Sequence, residues 1–276
     1  MASTALVAAG LALLSANPAR ALPQGENVVG GDVTYDRSVP GTLTGNQVTD
    51  RAYTLSHTFD TAAGESVILN LPSSGALSVN KVTGLVDIDG TQFDGLLSSN
   101  GNVWILDANG VFFGASARVD VGGILASTGD LAVADVMDGD QHFTFSNFGD
   151  GAVVNLGTMN IADAGLAAFV APYAANSGVI NAKLGTVAFA AGEKVTLDMY
   201  GDGLYEIAVD GDLADALLEN REAGKINAEG GTVHMVAAAA KSAVDNIINL
   251  DGVATVASAT VQGGKIILSG GGKGMV

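Results

Sequence analysis

From about residue 151 the chain repeats itself, and a short internal repeat constrains a fold more than any single residue does. GTMNIADAGLAAFVA from Gly157, GVINAKLGTVAFAA from Gly178 and GKINAEGGTVHMVA from Gly224 share one template. It reads Gly-x-(Ile/Met)-Asn, a small polar link, then Gly and four or five strand-forming residues. A fourth segment, VQGGKIILSG from Val261, keeps the second half. The spacing is 21 residues from Gly157 to Gly178 and 46 to Gly224, about two such units. A unit of this length cannot bury its own apolar face, so it must stack on its neighbours. Short strands in a repeat near 20 residues predict a parallel β-solenoid with coils about 4.8 Å apart. Asn160, Asn181 and Asn227 recur at equivalent turns, where stacked amides can hydrogen-bond along the axis as a structural ladder.

Upstream, residues 28–135 hold runs of about 4–8 residues, among them VVGGDVTY, SVILNL, NVWIL, GVFFG and ARVDV, with Ser, Asn, Gly and Asp between them. Helical periodicity is nearly absent. With 38 Gly and only 5 Pro, the composition suits many short strands and turns and excludes collagen. VTLDMYGDGLYEIAVDGDLADALLENR departs from the repeat, so an insertion is expected near 198–222. Within it, Asp212 as N-cap and Leu213, Ala216 and Leu217 at helical spacing predict a short helix. AAAAKSAVDNIIN, residues 237–249, is a second candidate excursion.

The chemistry is mostly one of exclusion. Twelve Lys plus Arg against 29 Asp plus Glu leave a formal charge of −17, which removes the main source of nucleic-acid affinity. With no cysteine, zinc fingers, iron–sulfur clusters and thiol catalysis are excluded, and stability must come from burial and backbone pairing. His57, His142 and His234 stand far apart without metal-site spacing. No GxSxG elbow occurs, and Gly274 follows Lys273 where a P-loop needs Ser or Thr. Asp198, Asp202, Asp210 and Asp212 offer oxygen ligands for calcium but follow no known loop spacing; solvated Asp-Gly turns are the simpler reading. No cofactor and no metal site are expected. Parallel β-helices also serve as polysaccharide lyases and hydrolases. One tryptophan, Trp104, few bases and scattered carboxylates argue against that alternative.

TALVAAGLALLSA, residues 4–16, is apolar but too short to span a bilayer. Ala19-Arg20-Ala21 has the small-x-small form of a signal-peptidase site. Residues 1–21 are therefore read as a signal peptide cut after Ala21, N-terminally incomplete because a basic start is missing. No later apolar run approaches 18 residues, so the mature chain is expected to be exported without a transmembrane segment.

One further stretch, WILDANGVFFGASARVDVGGILAST, closely resembles the signature of the N-terminal secretion domain of filamentous-haemagglutinin-like exoproteins, the passengers of two-partner secretion in Gram-negative bacteria. ALPQGENVVGG, LSHTFDTAAGESVILNLPSSGALSVNKVTG and GAVVNLGTMNIADAGLAAFVAP resemble other family motifs, and the likeness covers nearly all of residues 22–272. Where the family carries Asn-Pro-Asn-Gly, this chain has Asp107-Ala108-Asn109-Gly110. Asp accepts the same turn-closing hydrogen bond as Asn, and Asn-Gly tolerates positive φ; losing Pro removes a preset φ. The family's NPNL motif is absent.

The resemblance implies an all-β fold, a right-handed parallel β-helix with an N-terminal cap and short extra-helical insertions. It implies cap and first coils over 22–150 and continuing repeats over 151–276, expected to extend into a longer rod. It also implies recognition in the periplasm by a dedicated outer-membrane β-barrel transporter, with folding outside the cell. Asp107, Ala108, Asn109, Gly110 and Val111 are then expected to be both a corner of the solenoid and part of the label the transporter reads. Host or bacterial surface ligands would meet distal regions, and the domain itself is not expected to be an enzyme.

Overall fold

A computed structural model describes residues 22–84, 89–200, 204–211, 213, 215–238, 248–256 and 265–271. The repeat becomes a coil of three strands. Val111–Phe113, Arg118–Val121 and Gly123–Ser127 form one coil; Ala152–Asn155, Thr158–Ile161 and Leu166–Val170 form the next. Each strand pairs in parallel with its counterpart, Val111 beside Val153, Arg118 beside Thr158 and Ile124 beside Ala167. Repetition builds three sheets along the axis, two of nine strands and one of six. The protein is a parallel β-helix.

Burial separates the two long sheets. In the sheet containing Arg118–Val121, exposed and buried residues alternate, because one face meets water and the other the interior. Val67, Leu97, Val119, Met159, Ile180 and Ile226 stack inward there. In the sheet containing Asn102–Leu106 and Gly123–Ser127 the runs are apolar and nearly continuous, the pattern of strands covered on both faces. Val103 and Ile105 join the interior, whereas Trp104 and Leu106 belong to a second core outside the coil.

That second core is roofed by two excursions from the same sheet. After Ser127 the chain leaves to make Asp130–Leu131, the helix Val133–Met137 and His142–Ser146, then returns at Ala152. After Ala191 it makes the hairpin Lys194–Tyr200 and Leu204–Asp210, then returns at Leu217. The two excursions combine into one four-stranded antiparallel sheet, joined where His142–Ser146 pairs with Lys194–Asp198. Phe143, Phe145, Val195 and Leu197 cover Tyr53, Val79, Trp104 and Leu125. Arg51 clamps the helix side of this roof, donating to the Val136 carbonyl at 2.8 Å and lying 5.4 Å over the Phe143 ring.

At the first end, Asn27–Gly30 and Val33–Asp36 run antiparallel to Arg51–Ser56 and Thr42–Gln47. They occupy an edge that would otherwise present unpaired backbone groups.

The expected helix after Asp212 does not form in the described part of that segment: Leu217–Asn220 is a strand, paired with Tyr173–Asn176. A helix there would strand the backbone groups of Tyr173–Asn176 on a buried edge. Leu218 is inward and Leu217 half-buried, so a period of two wins over the helical spacing. Asp212, the signal segment with Ala19 and Ala21, and most of the 237–249 excursion lie outside the described residues.

Candidate recognition turn

The Asp107–Val111 corner joins the roofed sheet to the six-stranded sheet. Asp107 follows the strand Asn102–Leu106 and is 1% exposed. Its carboxylate accepts three hydrogen bonds, from the Thr91 amide at 2.9 Å, the Thr91 hydroxyl at 2.8 Å and the Asn109 amide at 3.0 Å. The Asp107 carbonyl accepts the Gly110 amide at 2.9 Å, closing the turn. Burial pushes the Asp107 carboxyl above its ordinary range; the bonds from Asn109 and Thr91 offset part of the rise, and the charge of Asp60 adds to it.

Glycines pin the turn between neighbouring coils. Gly110 takes φ +116°, a region that L side chains rarely adopt; Asn109 does not share it. A Cβ on Gly90, one coil below, would meet the Asn109 and Gly110 carbonyl oxygens at 2.7 Å. A Cβ on Gly149, where the first excursion returns, would meet the Ala108 carbonyl at 2.1 Å, and one on Gly151 would meet the Asn109 carbon at 2.3 Å. Side chains there would force the coils apart. Val111 is buried, Ala108 is exposed and Asn109 half-exposed. Of the five, only Ala108 and Asn109 offer side-chain surface to a partner of the folded domain.

Asn160, Asn181 and Asn227 lie on another face, along the solvent side of the alternating sheet. Asn160 donates to Asp120 at 2.6 Å, Asn181 to Asn160 at 2.8 Å and Asn227 to Asn181 at 2.8 Å. Sequence reasoning missed a second file, Asn155, Asn176 and Asn220, fully buried at a corner of the coil. Asn155 donates to Asn176 and Asn176 to Asn220, both at 2.8 Å. Its signal was present: Asn155 and Asn176 each precede a template glycine by two residues, and the Gly157 and Gly178 amides donate back to their side chains.

His142 sits 2.5 Å from Asp198, tying the two excursions together, while Asp202 and Asp212 lie outside the described residues. Among the described residues no three His, Asp or Glu side chains gather as a metal site, and no helix is long and apolar enough to cross a membrane.

A capped parallel β-helix, roofed on one face and turning a glycine-pinned Asp-Ala-Asn-Gly corner, places the chain in the β-solenoid class. Residues 19–276 match the family described as TPS secretion domain, and the chain belongs to that family. It is 31% identical over 140 residues to a heme/hemopexin-binding protein of Haemophilus influenzae, a match covering 50% of this chain and 15% of the relative. A second heme/hemopexin-binding protein of that species is 32% identical over 109 residues, 40% of this chain and 11% of the other. The chain thus corresponds to a small fraction of these relatives' length. The HMW1 secretion domain from the same species superposes with a TM-score of 0.69 at 22% identity, covering 89% of this chain and 62% of that one, which bears on the fold.

Proposed function

We propose that the chain is the secretion-targeting module of a larger two-partner-secreted exoprotein, read in extended form by an outer-membrane β-barrel transporter and folded outside the cell. Membership of the TPS secretion domain family over nearly the whole chain carries this reading. The absence of cysteine supports passage through a narrow pore, since no cross-linked loop would have to unfold. Folding coil by coil supplies a local bias: about 100 Å² of apolar burial per repeat contributes about 2.5 kcal/mol before ordering entropy.

Within that reading, Asp107–Val111 is part of the label. The burial of Asp107, Gly110 and Val111 favours recognition before folding, when all five residues are accessible. Contact with host or bacterial surfaces belongs to distal regions, and heme or hemopexin binding is a property of the named relatives. A carbohydrate-enzyme reading gains nothing from the fold, because Trp104 is buried under the roof and offers no sugar platform.

The test is export of the chain with a complete signal, with and without its candidate transporter, alongside Asn109→Ala. Asn109→Ala is preferable to a change at Gly110, whose φ makes any side chain a folding defect. Transporter-dependent appearance in the medium, reduced by the variant at unchanged stability, supports the label. Release without the transporter removes the proposal.

A further inference from the structure

The exposed amide file has a direction, and chemistry dictates it. A carboxylate only accepts hydrogen bonds, so Asn160 must turn its amide nitrogen toward Asp120. Its carbonyl oxygen is then left facing the next coil, where Asn181 donates to it, and Asn227 donates to Asn181 in turn. The last amide therefore presents an acceptor to the following coil, which places Thr255, a possible donor, in register with Asn227. The buried file runs the opposite way: Asn155 donates to Asn176 and Asn176 to Asn220. No carboxylate begins it, since the register position before Asn155 is Phe113. Its direction is set by the Gly157 and Gly178 amides, which occupy the Asn155 and Asn176 oxygens.

We propose that Asp120 is the polarity anchor of the exposed ladder, and that through it the coil carrying Asp120 dictates which hydrogen-bonding group the coil four steps later must bring at position 255. Each amide can flip only if its neighbours flip, so the file behaves as one two-state element with its two ends coupled. Four steps of about 4.8 Å separate those ends by about 19 Å, beyond the Debye length of about 8 Å at physiological salt. Direct charge–charge interaction between the end positions is therefore largely screened, and coupling between them must travel along the ladder. The inference holds whether or not the export reading does.

The test is a double-mutant cycle read by hydrogen exchange of the Lys225–Asn227 and Val253–Thr255 backbone amides in residues 22–276. Thr255→Asp places an acceptor at the far end while Asp120 still fixes the direction, so carbonyl oxygen faces carboxylate and protection falls. Asp120→Asn alone releases the anchor with little loss. Combined, the two changes let the whole file reverse, and protection lost to Thr255→Asp returns by about fivefold or more, the scale of coupling between residues in one network. Doubling of the Asn160, Asn181 and Asn227 side-chain NH₂ resonances in Asp120→Asn is the spectroscopic counterpart. Additive effects in the cycle, or three unchanged resonances, overturn the proposal. The far-ultraviolet β signal, with Trp104 emission for the roof, shows that each variant keeps its fold. Should Thr255→Asp fail that check, Thr255→Glu, which also only accepts, takes its place: its loss is predicted to shrink in the Asp120→Asn background.

Discussion

The ring of Trp104 stands edge-on to that of Phe143, centroids 4.6 Å apart and planes at 77°. One residue lies on a coil and the other on an excursion that leaves the rod one coil later. Their contact is where the roof meets the solenoid. Because Trp104 is the chain's single tryptophan, its emission reports whether the roof is in place.

Phe143→Ala removes that contact and leaves a cavity in the second core. We expect a loss of about 3–5 kcal/mol and a red shift of Trp104 emission, with the far-ultraviolet β signal kept. An unshifted emission maximum would show that the roof holds without Phe143.

Asp107 predicts a pH dependence with a definite sign. Its folded-state pKa lies above the unfolded value, so the native chain binds the proton more tightly. The contribution is complete below the ordinary carboxylate pKa of about 4 and is lost as pH rises through the folded value. Urea unfolding of the native chain and of Asp107→Asn across that window should differ in slope, the variant losing less stability as pH rises. Parallel slopes would mean that Asp107 does not titrate as its burial requires.

The two amide files should respond unequally to truncation. Asn176→Ala leaves the Asn155 amide and the Asn220 oxygen facing each other without a partner in the interior, at a cost of about 2–4 kcal/mol. Asn181→Ala opens the exposed file to water and should cost about 1 kcal/mol or less. Chemical denaturation of the two variants side by side decides the matter, and equal losses would contradict the difference in burial.

Gly90 and Gly64 both take positive φ, at +72° and +90°, but only Gly90 is crowded. Gly64→Ala meets open space and should carry the φ penalty alone, about 1–2 kcal/mol. Gly90→Ala adds a clash with the Asn109 and Gly110 carbonyls and should lose about 1–3 kcal/mol more. Thermal melts of the pair test whether the corner is pinned from below.

Much of this molecule can be read without coordinates. The repeat from Gly157 to Gly224 carries the coil, its stacking and the positions of Asn160, Asn181 and Asn227, because a solenoid brings residues one period apart into register. The local turn chemistry of Asp107–Gly110 is legible for a different reason: its closing bonds to Asn109 and Gly110 are only two and three residues away.

What the sequence could not decide involves partners outside that periodicity. Leu213, Ala216 and Leu217 fit a helix as readily as a strand, and only the waiting edge of Tyr173–Asn176 selects the strand. The roof needs His142–Ser146 to meet Lys194–Asp198, about fifty residues apart and outside the repeat. Its existence alone explains why VWIL is apolar on both faces. The burial of Asp107 and the direction of the exposed ladder likewise depend on side chains contributed by other coils. Local pattern determines which way a residue turns; which surface it finds there is settled only when distant segments pack, because burial and hydrogen-bond satisfaction belong to the assembled interior rather than to any stretch of chain.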